Sequence, residues 1–181
     1  VFDAGRKVDI ERWDNEPVTL AVALVLDVSL TMQGGKLDSA KDAARRFVGA
    51  LASKDMVSVV AFSESSAVVA DLSNNHDQAE TALARLNPGG GTALYDAVFD
   101  AARHLADAPP GARKIAVILS DGRDESASGL EPGSFHTLDE AIRRSHKSDL
   151  ILFTIGLGKG LEEQPDFSGR MSTAKVLEKM A

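Results

Sequence analysis

The chain reads as one α/β domain: a mostly parallel, doubly wound sheet in three layers, with helices on both faces and one short antiparallel edge strand. Three observations predict it. Apolar runs of strand length recur along the sequence, and amphipathic helical stretches alternate with them. The length of 181 residues gives room for one such core but hardly two.

The elements follow in order. Leu20 to Leu26 (LAVALVL) is apolar throughout, as a parallel strand covered on both faces requires. Residues 36–52 place Leu37, Ala40, Ala44, Phe47, Val48 and Leu51 on one helical stripe, with Asp38, Lys41, Asp42, Arg45 and Arg46 largely off it. Met56 to Phe62 is a second apolar strand. Ser63 to Ser66 reads as a hairpin turn into a short edge strand, Ala67 to Ala70. A short helix fits 76–86, and residues 92–106 repeat the amphipathic pattern with Leu94, Ala97, Val98, Ala101 and Leu105. Lys114 to Leu119 and Leu150 to Ile155 are further strands of the doubly covered kind. Between them Thr137-Leu-Asp-Glu140 is a capping-box pattern that opens a helix to about Lys147. A last helix begins near Thr173. Strands that alternate with helices imply right-handed crossovers.

Residues 1–17 stand outside this alternation, although Val8 to Trp13 has the look of a strand. They are expected to be an extension or the tail of a preceding module. Residues 18–181 form the domain, and the helical pattern at Ala181 is expected to be cut short.

Hydrophobic residues make up 44% of the chain and charged residues 26%, and the net charge is −7. An acidic surface argues against a general nucleic-acid binder, which needs a basic stripe. The absence of cysteine removes disulfides, thiolate metal sites and cysteine nucleophiles. No apolar run approaches the roughly 18–20 residues of a membrane span, so this segment is not expected to insert into a membrane.

In a doubly wound sheet the ligand site lies beyond the carboxyl ends of the strands, and three pieces of sequence fall there. Asp27-Val28-Ser29-Leu30-Thr31 follows the first strand and carries oxygen at alternate positions. Alternate side chains of an extended segment point the same way, so Asp27, Ser29 and Thr31 are expected to converge. Gly89-Gly90-Gly91-Thr92 opens the helix expected at 92, with the Thr92 hydroxyl at its N-terminus. Ser120-Asp121-Gly122 follows the strand ending at Leu119. Carboxylates with hydroxyls make a poor soft-metal site and a good hard-cation site.

Together these pieces resemble the metal-ion-dependent adhesion site of von Willebrand factor A domains. The usual pattern there is Asp-x-Ser-x-Ser, then a distant Thr, then Asp; Thr31 replaces the last Ser and keeps the hydroxyl. Gly90 to Ala97 (GGTALYDA) is similar to a bacterial VWFA-related subfamily, many of whose members are exported or envelope-associated. The resemblance covers the chain from Val18 onward and implies a Rossmann-like fold. It also implies one divalent cation, Mg²⁺ first, with Mn²⁺ or Ca²⁺ next. Ser29, Thr31 and Thr92 would be direct or near-direct ligands, while Asp27 and Asp121 bind directly or through water. The remaining coordination position would accept an acidic group of a protein partner. Such a domain is an extracellular or envelope adhesion-type binding module, not an enzyme.

Two rival readings are weaker. A Mg²⁺-dependent phosphatase of the haloacid-dehalogenase type also follows its first strand with an Asp motif, but its second Asp is the general acid, and Ser29 stands there. A subunit of a larger ATPase-linked complex would require a neighbouring ATPase module. Gly156-Leu-Gly158-Lys159-Gly160 matches no phosphate-loop spacing. His76, His104, His136 and His146 show no metal-ligand spacing and are expected at or near the surface. Two long loops, Gly122 to His136 and Gly158 to Met171, carry Arg123, Asp124, Glu125, Glu131, Glu162, Glu163, Asp166 and Arg170. They read first as a solvated acidic rim and, in the alternative, as loops that select the partner.

Overall fold

The protein is described from a computed structural model, which covers residues 2–3, 6–7, 18–158, 161–163, 165, 169 and 171–181. The expected strand at Val8–Trp13, and Lys159, Asp166 and Arg170, lie outside these residues. Strands β1 (Phe2–Asp3) and β2 (Arg6–Lys7) pair antiparallel as a separate small ladder. The main sheet contains β3 (Leu20–Asp27), β4 (Met56–Phe62), β5 (Ser66–Ser73), β6 (Arg113–Ser120) and β7 (Leu150–Gly156). Its order is β5-β4-β3-β6-β7, with only β5 antiparallel to its neighbour. The helices are α1 (Lys36–Ala50), α2 (His76–Arg85), α3 (Leu94–His104), α4 (Leu138–Lys147) and α5 (Thr173–Met180).

The alternation of β3 explains the layers. Ala21, Ala23 and Val25 face a core built with Leu94, Val98, Ala101, Ala141, Val176 and Leu177 of α3, α4 and α5. Val22, Leu24 and Leu26 face the opposite core, built with Leu37, Ala40, Ala44, Val48, Ala79 and Leu83 of α1 and α2. A central strand buried on both faces must be apolar along its length, and this one is from Ala21 to Leu26, with the buried Asp27 as its last residue.

Two boundaries and one burial pattern differ from the expectation. Strand β5 is longer than Ala67–Ala70. Helix α3 starts at Leu94, not at residue 92, because Thr92 is occupied in a backbone bridge described below. Strand β7 is covered on one face only: Leu150 and Leu152 are buried, while Ile151, Phe153 and Ile155 are 43%, 53% and 44% exposed. The cause is the placement of α1 and α2. Both belong to the core over β3, β4, β5 and β6, and no residue of β7 joins that core. The Thr137–Glu140 capping box forms as expected and opens α4.

Candidate metal centre

The chain runs outward from β3 through β4 to β5, then returns to the other side of β3 for β6 and β7. The order therefore reverses between β3 and β6, which is where a doubly wound sheet leaves a crevice at its carboxyl edge. Leu26 pairs with Leu119, so the next residues, Asp27 and Ser120, end side by side. Ser120 Oγ donates to Asp27 Oδ2 at 2.6 Å. The backbone N–H of Ser29 donates back to Asp27 Oδ1 at 2.8 Å and starts a turn.

That turn brings the hydroxyls together. Leu30–Met32 is a single 3-10 turn, so Thr31 does not lie on an extended segment as expected. Its side chain arrives by the turn instead. Ser29 Oγ and Thr31 Oγ1 are 2.9 Å apart, and Thr31 Oγ1 donates to Asp121 Oδ1 at 2.8 Å. With the Thr31 proton given to Asp121, Ser29 is the donor to Thr31. Gly34 and Gly35, at φ +82° and +99°, then reverse the chain in a conformation that favours glycine. Helix α1 therefore starts with Lys36 beside the site. Lys36 Nζ donates to the Thr31 carbonyl at 3.1 Å and forms an ion pair with Asp121 Oδ2.

Thr92 comes from a different segment. Gly89 N–H donates to the Val28 carbonyl at 2.7 Å, and Leu30 N–H to the Gly90 carbonyl at 3.0 Å, so the glycine run is stitched to the first loop. Thr92 and Glu125 exchange backbone hydrogen bonds of 2.8 and 3.1 Å. Gly133 closes over this bridge; a Cβ there would stand 2.1 Å from the Thr92 carbonyl oxygen. Gly122 opens the space between the hydroxyls: a Cβ on it would lie 3.6 Å from Thr92 Oγ1 and 3.8 Å from Thr31 Oγ1.

Burial grades the site. Asp27, Ser29, Thr92, Ser120 and Asp121 are buried, and Thr31 is exposed. The opening to solvent is thus on the Thr31 side. Burial pushes the Asp27 carboxyl above its ordinary value. Hydrogen bonds from Ser120 and Ser29 offset this in part, and the nearby Asp121 charge adds to it. Ser29 N–H and Ser120 Oγ serve Asp27, with the Ser29 hydroxyl beside them, where a carboxylate has about four acceptor sites. Among the described residues no three of His, Asp and Glu gather in a metal-holding arrangement, so a cation held here would depend on the hydroxyls. An all-oxygen set of two carboxylates and three hydroxyls around a gap kept open by Gly122 fits a small hard cation.

All five residues singled out by sequence, Asp27, Ser29, Thr31, Thr92 and Asp121, are therefore brought to one place. Three further residues were missed. Ser120, beside Asp121, carries no motif signal of its own in the sequence. Lys36 reads as the first charge of an amphipathic helix; the available signal was its sign, since a cation opposes the dipole at a helix N-terminus. Asp124, expected on a solvated rim, is 1% exposed. Its carboxylate accepts from Tyr95 N–H, Gly133 N–H, Ser134 N–H and Ser134 Oγ. Nearby, Asp96 accepts from the N–H groups of Phe135 and His136 and from His136 Nδ1. The second half of this loop is thereby clasped to the first turn of α3. His136 also stacks on Phe99 at 3.8 Å, so it belongs to this clasp.

The profile of the von Willebrand factor type A domain matches residues 22–123, more than half of the chain. The chain belongs to the von Willebrand factor type A domain family. It is 29% identical over 158 residues to inter-alpha-trypsin inhibitor heavy chain H4 of Sus scrofa, covering 82% of this chain and 16% of that protein. The chain thus spans about a sixth of the length of such relatives. Among solved structures, a von Willebrand factor type A protein from Catenulispora acidiphila superposes with a TM-score of 0.71 at 26% identity, covering 91% of this chain and 36% of that one. Proximal thread matrix protein 1 from the mussel byssus, solved with a zinc-occupied MIDAS motif, superposes with a TM-score of 0.69. It is 16% identical, and the match covers 91% of this chain and 39% of that one. The type A fold is a three-layer, mostly parallel sheet, and the arrangement of β3 to β7 conforms to it.

Proposed function

We propose that this type A domain is a divalent-cation-dependent protein-binding module of the adhesion kind, with no catalytic role of its own. Asp27, Ser29, Thr31, Thr92 and Asp121 hold the cation, and its open position takes a carboxylate from a protein partner. The observation that carries this is the convergence of five oxygen-bearing side chains from three loops at the sheet's reversal point. Two ionised aspartates balance a divalent charge, so the loaded site still favours one more anionic oxygen. Thr31, the exposed member, marks where that oxygen enters.

Mg²⁺ is the proposed ion, with Mn²⁺ and Ca²⁺ next, since hydroxyl, carboxylate and water ligands suit hard cations. Zn²⁺ belongs in any test panel because a structural neighbour is described with zinc at its motif. A binding role is favoured over phosphatase chemistry by Ser29. Its hydroxyl lies 2.9 Å from Thr31 Oγ1, and a hydroxyl is a poor general acid near neutral pH. The resemblance to an exported bacterial subfamily supports an envelope or extracellular setting.

Thermal melting with and without each ion tests the site. Wild-type protein should melt higher with Mg²⁺, and Asp27→Ala combined with Asp121→Ala should abolish the shift. An undiminished shift in the double variant would remove the metal assignment. Turnover of a generic phosphate ester above an Ser29→Ala control would remove the non-catalytic one.

A further inference from the structure

Lys36 is held in an unusual way. It is the first residue of α1, where a positive charge opposes the helix dipole, so its local setting does not account for it. Its partner does. The Asp121 side chain is 1% exposed while that of Lys36 is 44% exposed. The ammonium reaches in from the solvent side to a buried carboxylate, and it also takes the Thr31 carbonyl at 3.1 Å. Thr31 Oγ1 occupies the other oxygen of Asp121. Both oxygens of Asp121 are therefore engaged, one of them by a full positive charge.

We infer that Lys36 is an internal rival of the cation for Asp121. This rests on the cation-binding reading above and adds to it a residue that sets how readily the site loads. The argument is electrostatic and independent of whether the lysine moves. If the ammonium stays, it repels a divalent ion placed among Ser29, Thr31, Thr92 and Asp121. If it leaves, its ion pair with Asp121 is lost. Either way the cation binds less tightly than it would to the two aspartates alone. The exit is short, since the lysine side chain is 44% exposed and α1 need not shift. The retained charge also has a use. Two carboxylates, one divalent ion and one ammonium sum to a net positive site, and that favours an anionic partner group. Affinity for the ion is thus lowered in exchange for a stronger demand for the partner's carboxylate.

The test is Mg²⁺ binding by titration calorimetry to wild type, Lys36→Met and Lys36→Arg. Lys36→Met should bind Mg²⁺ about ten-fold more tightly, the scale of removing one partly screened charge from beside the ion. Lys36→Arg should stay within about three-fold of wild type because it keeps the charge. Lys36→Gln supplies a neutral, polar alternative if the methionine variant does not fold. Equal or weaker binding by the folded neutral variants, with binding by wild type intact, would overturn the role of Lys36 and leave the site standing. Absence of Mg²⁺ binding by wild type and by the folded neutral variants alike would overturn both. A purely structural lysine would lower the melting temperature without tightening Mg²⁺, so the affinity, not the melting point, decides.

Discussion

Asp27 and Asp124 are both buried aspartates at the carboxyl edge of the sheet, and burial raises the pKa of each. They differ in what meets them. Asp124 receives four donors: three backbone N–H groups and the Ser134 hydroxyl. Asp27 receives fewer, and only from Ser29 and Ser120. A carboxylate with its acceptor sites filled by the chain is a fastening. One with sites left over, facing hydroxyls that come from three loops, is suited to a ligand. The number of donors, more than burial or pKa, separates the structural aspartate from the one proposed to bind.

The largest expected effect breaks the comparison at its structural end. Asp124→Ala leaves the donors of Gly133 and Ser134 without their acceptor, leaves Tyr95 N–H only Ser134 Oγ, and holds the loop to α3 by Asp96 alone. It should cost about 3–5 kcal/mol of stability, because several buried polar groups lose their partner together. Asp27→Asn is the counterpart. Ser120 Oγ can turn to accept from the new amide, and the cost of burying an ionised group disappears. Stability without metal should stay within about 1 kcal/mol of wild type, while the Mg²⁺-induced rise in melting temperature is lost. Urea unfolding with and without Mg²⁺ reads both. A large loss for Asp27→Asn without metal, or a small one for Asp124→Ala, would show that donor count does not distinguish the two.

Acidity sharpens the same contrast. Because the folded pKa of Asp124 lies above its unfolded value, the folded chain binds that proton more readily. Stability from this group therefore falls as pH rises through the folded pKa, and is fully present below the unfolded value of about 3.8. This is opposite to the behaviour of Asp139, whose carboxyl is lowered by its hydrogen bond and ion pair with Lys179. Relative to Asp124→Asn, wild type should gain stability as pH is lowered from 7 toward 4. Urea midpoints for the two proteins at several pH values check this, and a difference that shrinks on acidification would contradict it.

Much of this was legible in the sequence because it depends on periodicity. The doubly buried β3, the stripe on α1 and the capping box at Thr137 all follow from patterns of one residue against its near neighbours. The grouping of the five candidate residues is legible too, though by a different route. Asp27, Ser29 and Thr31 were expected to converge by extended alternation, and they converge through a 3-10 turn. Thr92 was placed on a helix and lies in a bridge with Glu125. What stayed hidden was long-range. Lys36 and Asp121 are 85 positions apart, and no local pattern announces their pairing. The roles of Asp124 and Asp96 depend on a loop folding back onto α3, so in sequence they read as ordinary surface acids. The open face of β7 was missed because an apolar run does not state which helices will cover it.

The smallest expected effect compares the two serines that serve the two aspartates. Ser134 Oγ donates to Asp124 Oδ1 and accepts from the N–H groups of Tyr95 and Asp96, each at 3.0 Å. It joins the clasp to α3 from both sides, so Ser134→Ala should cost about 1–2 kcal/mol through the loss of several hydrogen bonds. Ser120 Oγ donates to Asp27 Oδ2 and accepts from Gly122 N–H at 3.3 Å. It stabilises the ionised form of a carboxylate that burial already disfavours. Ser120→Ala therefore weakens that ionised form, and it should reduce Mg²⁺ affinity several-fold while costing no more than about 1 kcal/mol of metal-free stability. Ser134→Ala should leave Mg²⁺ affinity close to wild type. Calorimetry and urea unfolding on the same two variants give a crossed result if the distinction holds: one serine moves stability, the other moves the ion. Parallel effects of the two would mean that clasp and site are one cooperative unit, with the loop from Gly122 to His136 transmitting strain to the cation.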